Sequence, residues 1–257
     1  MTIGIIGCGN MGGALLTAFC KQTKHTIIAT DRSRGKVEAY GGGIYRELPT
    51  LLSEADVIVL AMKPQAFSVV AQEISEAVKN KLIVSILAGV SIARIRELLG
   101  AARIIRCMPN MPATVGSGVL GWYADGAKEN EKEILDSLFQ LAGESIELPS
   151  EKLVDQITLI SGCGPAYFSL FAEMLENEAM RLGFDSATAV RIVAGTLQGS
   201  ARVLASDITP TDLRIKVTSK GGVTEAVLKS LEAQHFTETF SKGIDVGIAR
   251  MSELNKK

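Results

Sequence analysis

The sequence predicts an α/β protein: a doubly wound parallel sheet over residues 1–150 followed by an all-α domain over residues 151–257. Three observations carry that expectation. Short runs rich in β-branched residues alternate with longer segments of helical period through the first half. Those short runs are apolar almost throughout, as strands buried on both faces are, and a parallel pair needs a crossover that a helix supplies. Beyond about Pro149 the strand signal stops and only helical periodicity continues.

Strands are expected at Thr2 to Ile6, Thr26 to Thr30, Val57 to Leu60, Leu82 to Ile86 and Arg103 to Arg106, with Val119 to Tyr123 and Ser145 to Leu148 extending the sheet. Helices between them are expected at Asn10 to Lys21, Ser68 to Val78, Ile92 to Leu99 and Asn130 to Leu141. The second half reads as helices at Leu153 to Ser161, Ala166 to Leu182, Ser186 to Ala205, Thr211 to Val217, Thr224 to Ala233 and Phe236 to Leu254. Gly183 followed by Asp185 and Ser186 is a stop and a new N-cap. Thr209-Pro210-Thr211-Asp212 is a second start, with proline where the first-turn N–H has no partner anyway. Small residues such as Ala194-Gly195 and Gly199-Ser200-Ala201 let helices pack closely.

Composition narrows the function. The 257 residues are 47% hydrophobic and 21% charged, with 27 Lys+Arg against 28 Asp+Glu and a formal charge of −1. The apolar share supports a sizeable core and argues against disorder or a disulfide scaffold. The balanced charge lacks the basic footprint of a nucleic-acid binder. The first cation is Lys21, no cleavage site follows a charged leader, and the nearest apolar run, Leu82 to Val90, falls well short of the roughly 20 residues of a bilayer span. A soluble, cytoplasmic protein with no membrane contact is expected. Cys8, Cys20, Cys107 and Cys163 show no Cys-x-x-Cys pairing, which predicts free thiols. With His25 and His235 the only histidines, no metal site and no Ser-His-Asp triad are expected.

The first strand runs into Gly7-Cys8-Gly9-Asn10-Met11-Gly12. Alone, Gly-x-Gly-x-x-Gly is a weak pattern. At the end of an apolar strand, opening a helix, and with Asp31 closing the second strand roughly 20 residues on, it is the dinucleotide fingerprint of a Rossmann-type domain. Gly7 permits the tight turn, Gly9 lets backbone approach a pyrophosphate, and Gly12 lets helix pack on strand, while N–H groups at the helix mouth bind the diphosphate. Asp31-Arg32-Ser33 stands where the adenosine ribose lies. A carboxylate accepts from ribose hydroxyls and repels a 2′-phosphate, whereas Arg32 and Ser33 suit that phosphate. The cofactor is therefore NADP or NAD, tipped toward NADP because Arg32 can swing over the 2′ position while Asp31 turns away.

Two further loops leave the carboxyl ends of expected strands, where open α/β sheets bind ligands. Ala61-Met62-Lys63-Pro64 brings Lys63 to the crevice. Arg106-Cys107-Met108-Pro109-Asn110-Met111-Pro112 holds a rigid turn in which the Asn110 amide is placed to contact the nicotinamide or its ribose. The helical half carries Ser161-Gly162-Cys163-Gly164-Pro165-Ala166-Tyr167 and Thr218-Ser219-Lys220-Gly221-Gly222-Val223-Thr224. The second opens a helix and makes a nest of backbone N–H donors for a small carboxylate; a plain N-cap turn is an equal alternative on these residues alone.

Together, in this order and over almost the whole chain, these motifs resemble the pyrroline-5-carboxylate reductase family. The resemblance implies NAD(P)H-dependent reduction of a cyclic imino acid, 1-pyrroline-5-carboxylate, to L-proline, the last step of proline biosynthesis. It also implies a helical domain that interlocks with a second subunit in a homodimer, commonly within a higher oligomer. It places Gly7, Gly9, Asn10, Met11, Gly12, Ala61, Lys63, Pro64 and Asn110 in the cofactor shell, beside Asp31 and Arg32. Ser219, Gly221, Gly222, Val223 and Thr224 become substrate contacts, with Thr224 the candidate donor to the imine nitrogen. A hydroxyl is a weak acid, but an imine that arrives protonated needs only orientation and electrostatic support. Lys220 departs from the family's usual proline, which loosens the turn and puts a cation beside the nest, fitting either tighter anion binding or a different imine. A β-hydroxyacid dehydrogenase like 6-phosphogluconate dehydrogenase needs a lysine in its second domain, and none lies from Leu153 to Ile215. A non-catalytic coenzyme-binding regulator leaves the nest without a task.

Overall fold

A computed structural model describes residues 1–22 and 24–254; residues 255–257 of the expected helical domain lie outside them. The strands are β1 (Thr2–Ile6), β2 (Thr26–Thr30), β3 (Ile44–Tyr45), β4 (Val57–Leu60), β5 (Leu82–Ser85), β6 (Arg103–Met108), β7 (Gly118–Asp125) and β8 (Gly143–Glu147). Among the described residues they form one eight-stranded sheet in the order β3-β2-β1-β4-β5-β6-β7-β8. Ile5 pairs with Ala29 on one side and Val59 on the other, so β1 is central and its apolar run is buried on both faces. The chain moves outward from β1 to β3, then returns to β4 on the other side of β1. That reversal opens the crevice at the carboxyl ends of β1 and β4.

Successive strand residues sort onto opposite faces, and residues two apart share one. Ile3, Ile5, Val57, Val59, Val84 and Ile105 face α1 (Asn10–Phe19) and α6 (Glu129–Phe139), which contribute Leu15, Leu16, Phe19, Leu135 and Phe139. Ile6, Ile28, Ile58, Leu60, Ile83 and Ile104 face the other layer, where α3 (Leu48–Glu54), α4 (Phe67–Val78) and α5 (Ile92–Leu99) bring Leu51, Phe67, Ile74 and Ile95.

Three features differ from the sequence expectation. β7 runs antiparallel to β6, pairing Cys107 with Trp122, so the sheet is mostly rather than wholly parallel. The segment between them, a short helical turn at Met111–Val115, cannot hold the dozen or more residues of a parallel crossover. β6 also runs on through Cys107 and Met108, past the expected end at Arg106. β3, α2 (Arg34–Ala39) and α3 were not expected at all. β3 has 2 residues, and α2 has 6 with Val37 its one buried side chain, too short to print a period.

The first compact unit comprises Met1–Pro165 with the chain from Ile248 onward, and the second Ala166–Gly247. The division falls later than the expected 150/151 because α7 (Glu151–Ile157) rests on β6 and β7. Arg106, 4% exposed, donates to Glu151 at 3.0 Å and to Asp155 at 2.5 Å, and Glu151 also accepts from the Ile92 N–H at 2.7 Å. A π-helical turn, Thr158–Gly162, then leads into α8 (Gly164–Arg181).

The remaining helices are α9 (Ser186–Leu204), α10 (Pro210–Lys216), α11 (Val223–Ala233) and α12 (Phe236–Leu254). Their starts follow the expected caps: Asp185 accepts from the Thr188 N–H at 3.0 Å and Thr209 from the Asp212 N–H at 3.1 Å. In the second unit the buried apolar side chains among the described residues are Ala179, Ala189 and Val193, while Phe168, Leu182 and Val246 are 68%, 69% and 71% exposed. Among the described residues no helix is long and apolar enough to cross a membrane.

Candidate active site

The loop from β1 to α1 is built by close approach. Gly7 has φ +102°, a left-handed value, and a Cβ there would lie 2.9 Å from the Ala61 backbone. A Cβ on Gly12 would lie 2.1 Å from the Gly7 carbonyl oxygen. A Cβ on Gly9 would meet nothing within 4 Å, so it would project into space that the loop keeps open. Gly9 is also the N-cap, without a side-chain cap, and the Gly13 N–H is the first to return to it, at 2.7 Å. Helix geometry therefore leaves the N–H groups of Asn10, Met11 and Gly12 unspent at the positive end of α1. This backbone fits a dinucleotide pyrophosphate.

Gly7, Gly9, Asp31, Arg32, Ala61 and Lys63 line one cleft of about 640 Å³ at the carboxyl edge of the sheet. Lys36, Tyr45, Glu47, Met62 and Glu73 also line it, and the sequence reading missed them. Lys36 and Tyr45 sit on α2 and β3, elements the sequence did not reveal; the spacing of Lys36 five positions beyond Asp31 was the available signal. Pro64 opens a short helical turn, Pro64–Ala66, and does not line this cleft.

Asp31 does not face open solvent. Its Oδ2 accepts from the Cys8 N–H at 2.8 Å, its Oδ1 from the Ser33 N–H at 3.1 Å, and the Lys36 ammonium lies 3.6 Å from Oδ1. Burial alone would raise its pKa. The two N–H donors and Lys36 outweigh that penalty and hold the carboxyl below the usual aspartate value. Cys8, under the same loop, is 1% exposed.

Asn110 is not among the residues that line this cleft. It is 7% exposed; its Nδ2 donates to the Ser161 carbonyl at 3.0 Å and its Oδ1 accepts from the Val119 N–H at 2.8 Å. The amide clasps the end of β6, the start of β7 and the π-helical turn, so one of its two donors and one of its two acceptor sites are committed inside the protein.

The expected carboxylate nest stands at the mouth of α11, with Gly222 as N-cap and Gly221 at φ +73°. Two of its donors are already occupied. The Gly221 N–H donates to Glu225 Oε2 at 2.5 Å and the Gly222 N–H to the Ser219 carbonyl at 3.0 Å. The N–H groups of Val223 and Thr224 remain unspent by helix geometry. Glu225 also pairs with Lys229 at 2.9 Å, and that contact, with the Gly221 N–H, lowers its pKa. Lys220 and Thr224 are exposed.

This fold and loop define an oxidoreductase that uses a nicotinamide dinucleotide. Residues 2–89 match the family model described as NADP oxidoreductase coenzyme F420-dependent, and residues 151–254 the one described as pyrroline-5-carboxylate reductase dimerisation. The pyrroline-5-carboxylate reductase of Pseudomonas aeruginosa is 34% identical over 98% of this chain and 96% of its own. The chain belongs to the pyrroline-5-carboxylate reductase family. Among solved structures, a pyrroline-5-carboxylate reductase from Coxiella burnetii superposes with TM-score 0.91 at 32% identity, covering 99% of this chain and 98% of that one. The Plasmodium falciparum pyrroline carboxylate reductase with NADP bound superposes with TM-score 0.88 at 27% identity over 99% and 98%.

Proposed function

We propose that the protein reduces 1-pyrroline-5-carboxylate to L-proline with NADPH or NADH, the last step of proline biosynthesis, in the cytoplasm. The observation that carries the reading is the mouth of α11, where the unspent N–H groups of Val223 and Thr224 and the Thr224 hydroxyl occupy one turn. A small carboxylate fits those N–H groups, with Ser219, Gly221 and Gly222 shaping the turn around it. When bound in the β1–α1 cleft, the reduced nicotinamide supplies the hydride. As the imine carbon accepts it, the C=N π electrons move to nitrogen, which needs a proton or a hydrogen bond. Thr224 orients that nitrogen, and the proton arrives with the substrate from water. The two reacting carbons must come within roughly 3 to 3.5 Å.

The helical segment acts as a homodimerisation surface. Each large apolar side chain left in water forfeits about 1.5–3 kcal/mol of burial, and Ala166–Gly247 exposes many. A second copy of this chain supplies the missing cover, with a higher oligomer built from such dimers.

The test is NADPH and NADH oxidation with 1-pyrroline-5-carboxylate, its six-membered homologue and a 2-keto acid. Turnover is expected with the five-membered imine and none with the keto acid. Equal rates with the keto acid would reject the assignment, and faster turnover of the six-membered ring would move it to another cyclic imine. Sedimentation should give at least a dimer.

A further inference from the structure

Resting on the reading of the β1–α1 cleft as a nicotinamide-dinucleotide site, we propose that Glu151, anchored by the buried Arg106, is a positioning residue for the nicotinamide half of the coenzyme, acting through the turn between β5 and α5.

The mouth of α1 takes the pyrophosphate, and the part of the cleft lined by Asp31 and Arg32 lies at the end of β2, on the adenosine side. A coenzyme laid across the reversal point must therefore continue past β4 to the carboxyl ends of β5 and β6. At the end of β5 stands a tight turn. The Ile86 N–H donates to the Leu60 carbonyl at 3.1 Å, which joins the turn to the end of β4, and the Val90 N–H returns to the Leu87 carbonyl at 3.4 Å. Gly89 has φ +71°, and Ala88 and Gly89 are exposed. Their backbone is the next surface for the coenzyme beyond Ala61 and Lys63.

This turn is held by polar bonds beside a hollow. Gly89 and Ser91 border about 280 Å³ of space together with Arg106, Glu151 and Asp155. Ser91 caps α5 by accepting from the Arg94 N–H at 3.2 Å, and Glu151 Oε1 accepts from the Ile92 N–H at 2.7 Å, reaching it from α7, 59 residues along the chain. Arg106 fixes Glu151 in turn. Its Nη1 donates to the same Oε1 at 3.0 Å and its Nη2 to Asp155 Oδ1 at 2.5 Å. With 5% of its side chain exposed, Arg106 acts on a ligand only through the groups it holds. A rigid guanidinium fork sets two carboxylates at a fixed spacing, which a flexible ammonium does not do. Without the Glu151 oxygen, the first N–H of α5 loses its acceptor and the turn is free to shift toward the hollow. A displacement of about 1 Å in a positioning element is enough to impair a reaction.

Calorimetric titration with two probes tests this: NADPH carries both halves of the coenzyme, and 2′,5′-ADP carries the adenosine half alone. Glu151→Ala should weaken NADPH about fivefold and leave 2′,5′-ADP within about twofold. Glu151→Gln should recover most of the loss, because an amide oxygen still accepts the Ile92 N–H. Arg106→Lys, which keeps the charge without the fork, should show the same selectivity at smaller size, and it carries the test if Glu151→Ala does not fold. Equal weakening of both probes overturns the proposal, since a general loss of structure does not distinguish the two halves. Unchanged NADPH affinity in folded Glu151→Ala overturns it too, and Glu151→Gln as impaired as Glu151→Ala overturns the route through Ile92. Neither probe meets the imine, so failure of the substrate assignment leaves these results intact, whereas wild-type protein that binds neither probe removes the coenzyme cleft and this proposal together.

Discussion

The two glycine-lined helix mouths look alike in sequence and differ in how their donors are used. At α1 the N-cap is Gly9, no side-chain capping bond is made, and helix geometry leaves the first-turn N–H groups unspent. At α11 the N-cap is again a glycine, Gly222, but Glu225 folds back and holds the Gly221 N–H. At the first mouth the carboxylate nearby, Asp31, holds the Cys8 N–H of the preceding loop and leaves the first helical turn to an incoming anion. The second already contains a carboxylate of its own, so an incoming acid must fit beside Glu225 or displace it, with Lys220 and Lys229 close in sequence to offset the charge. The same motif chemistry therefore yields an open site in one place and a guarded one in the other.

The sharpest way to break this contrast is Gly12→Val. Its Cβ would lie 2.1 Å from the Gly7 carbonyl, and fluorescence titration should show NADPH affinity falling by at least about 100-fold, or the protein failing to fold. Tight coenzyme binding in that variant would mean the α1 mouth is not the pyrophosphate seat. Next comes Thr224→Ala at the other mouth, expected to lower kcat/KM for the imine by about 10- to 100-fold with coenzyme Kd nearly unchanged. An unaltered kcat/KM removes Thr224 from the mechanism.

Glu225→Gln sharpens the comparison instead. It removes the negative charge beside the nest, so KM for the imino acid should fall about threefold with kcat little changed; a KM that stays or rises shows that Glu225 does not compete with substrate. The smallest effect concerns the brace at the first mouth. Because Asp31 has a depressed pKa, its contribution is fully present above the unfolded aspartate value of about 3.9 and is lost as pH falls through its lower folded value. Asp31→Asn should lower Tm by about 2–4 °C at pH 7, and the gap should close below about pH 4. A gap independent of pH would show that the ionised carboxylate is not the stabilising species.

How far the sequence was legible follows from length and directness. Val57–Leu60 and Leu82–Ser85 announce themselves because both of their faces are buried, so they are apolar up to the terminal Ser85. Ile44–Tyr45 has 2 residues between loops and carries no period to read. Strand direction is equally silent, since β7 alternates identically whichever way it runs, and only the short connection from β6 fixes it. At the site, the fingerprint glycines are legible because their roles are local. The turning of Asp31 toward Cys8 and the clasp of Asn110 between Val119 and Ser161 depend on partners 23, 9 and 51 residues away, and no spacing rule reports them.

Cys8 sits inside the coenzyme loop, and its surroundings settle its chemistry. Burial above all, then the neighbouring Asp31 charge, push its thiol up to about 11 against a smaller opposing pull from Lys36. At neutral pH it is almost entirely the unreactive, protonated form, so peroxide and alkylating reagents should pass it by. The loop that must hold a reducing coenzyme thus keeps the sulfur at its centre buried and protonated.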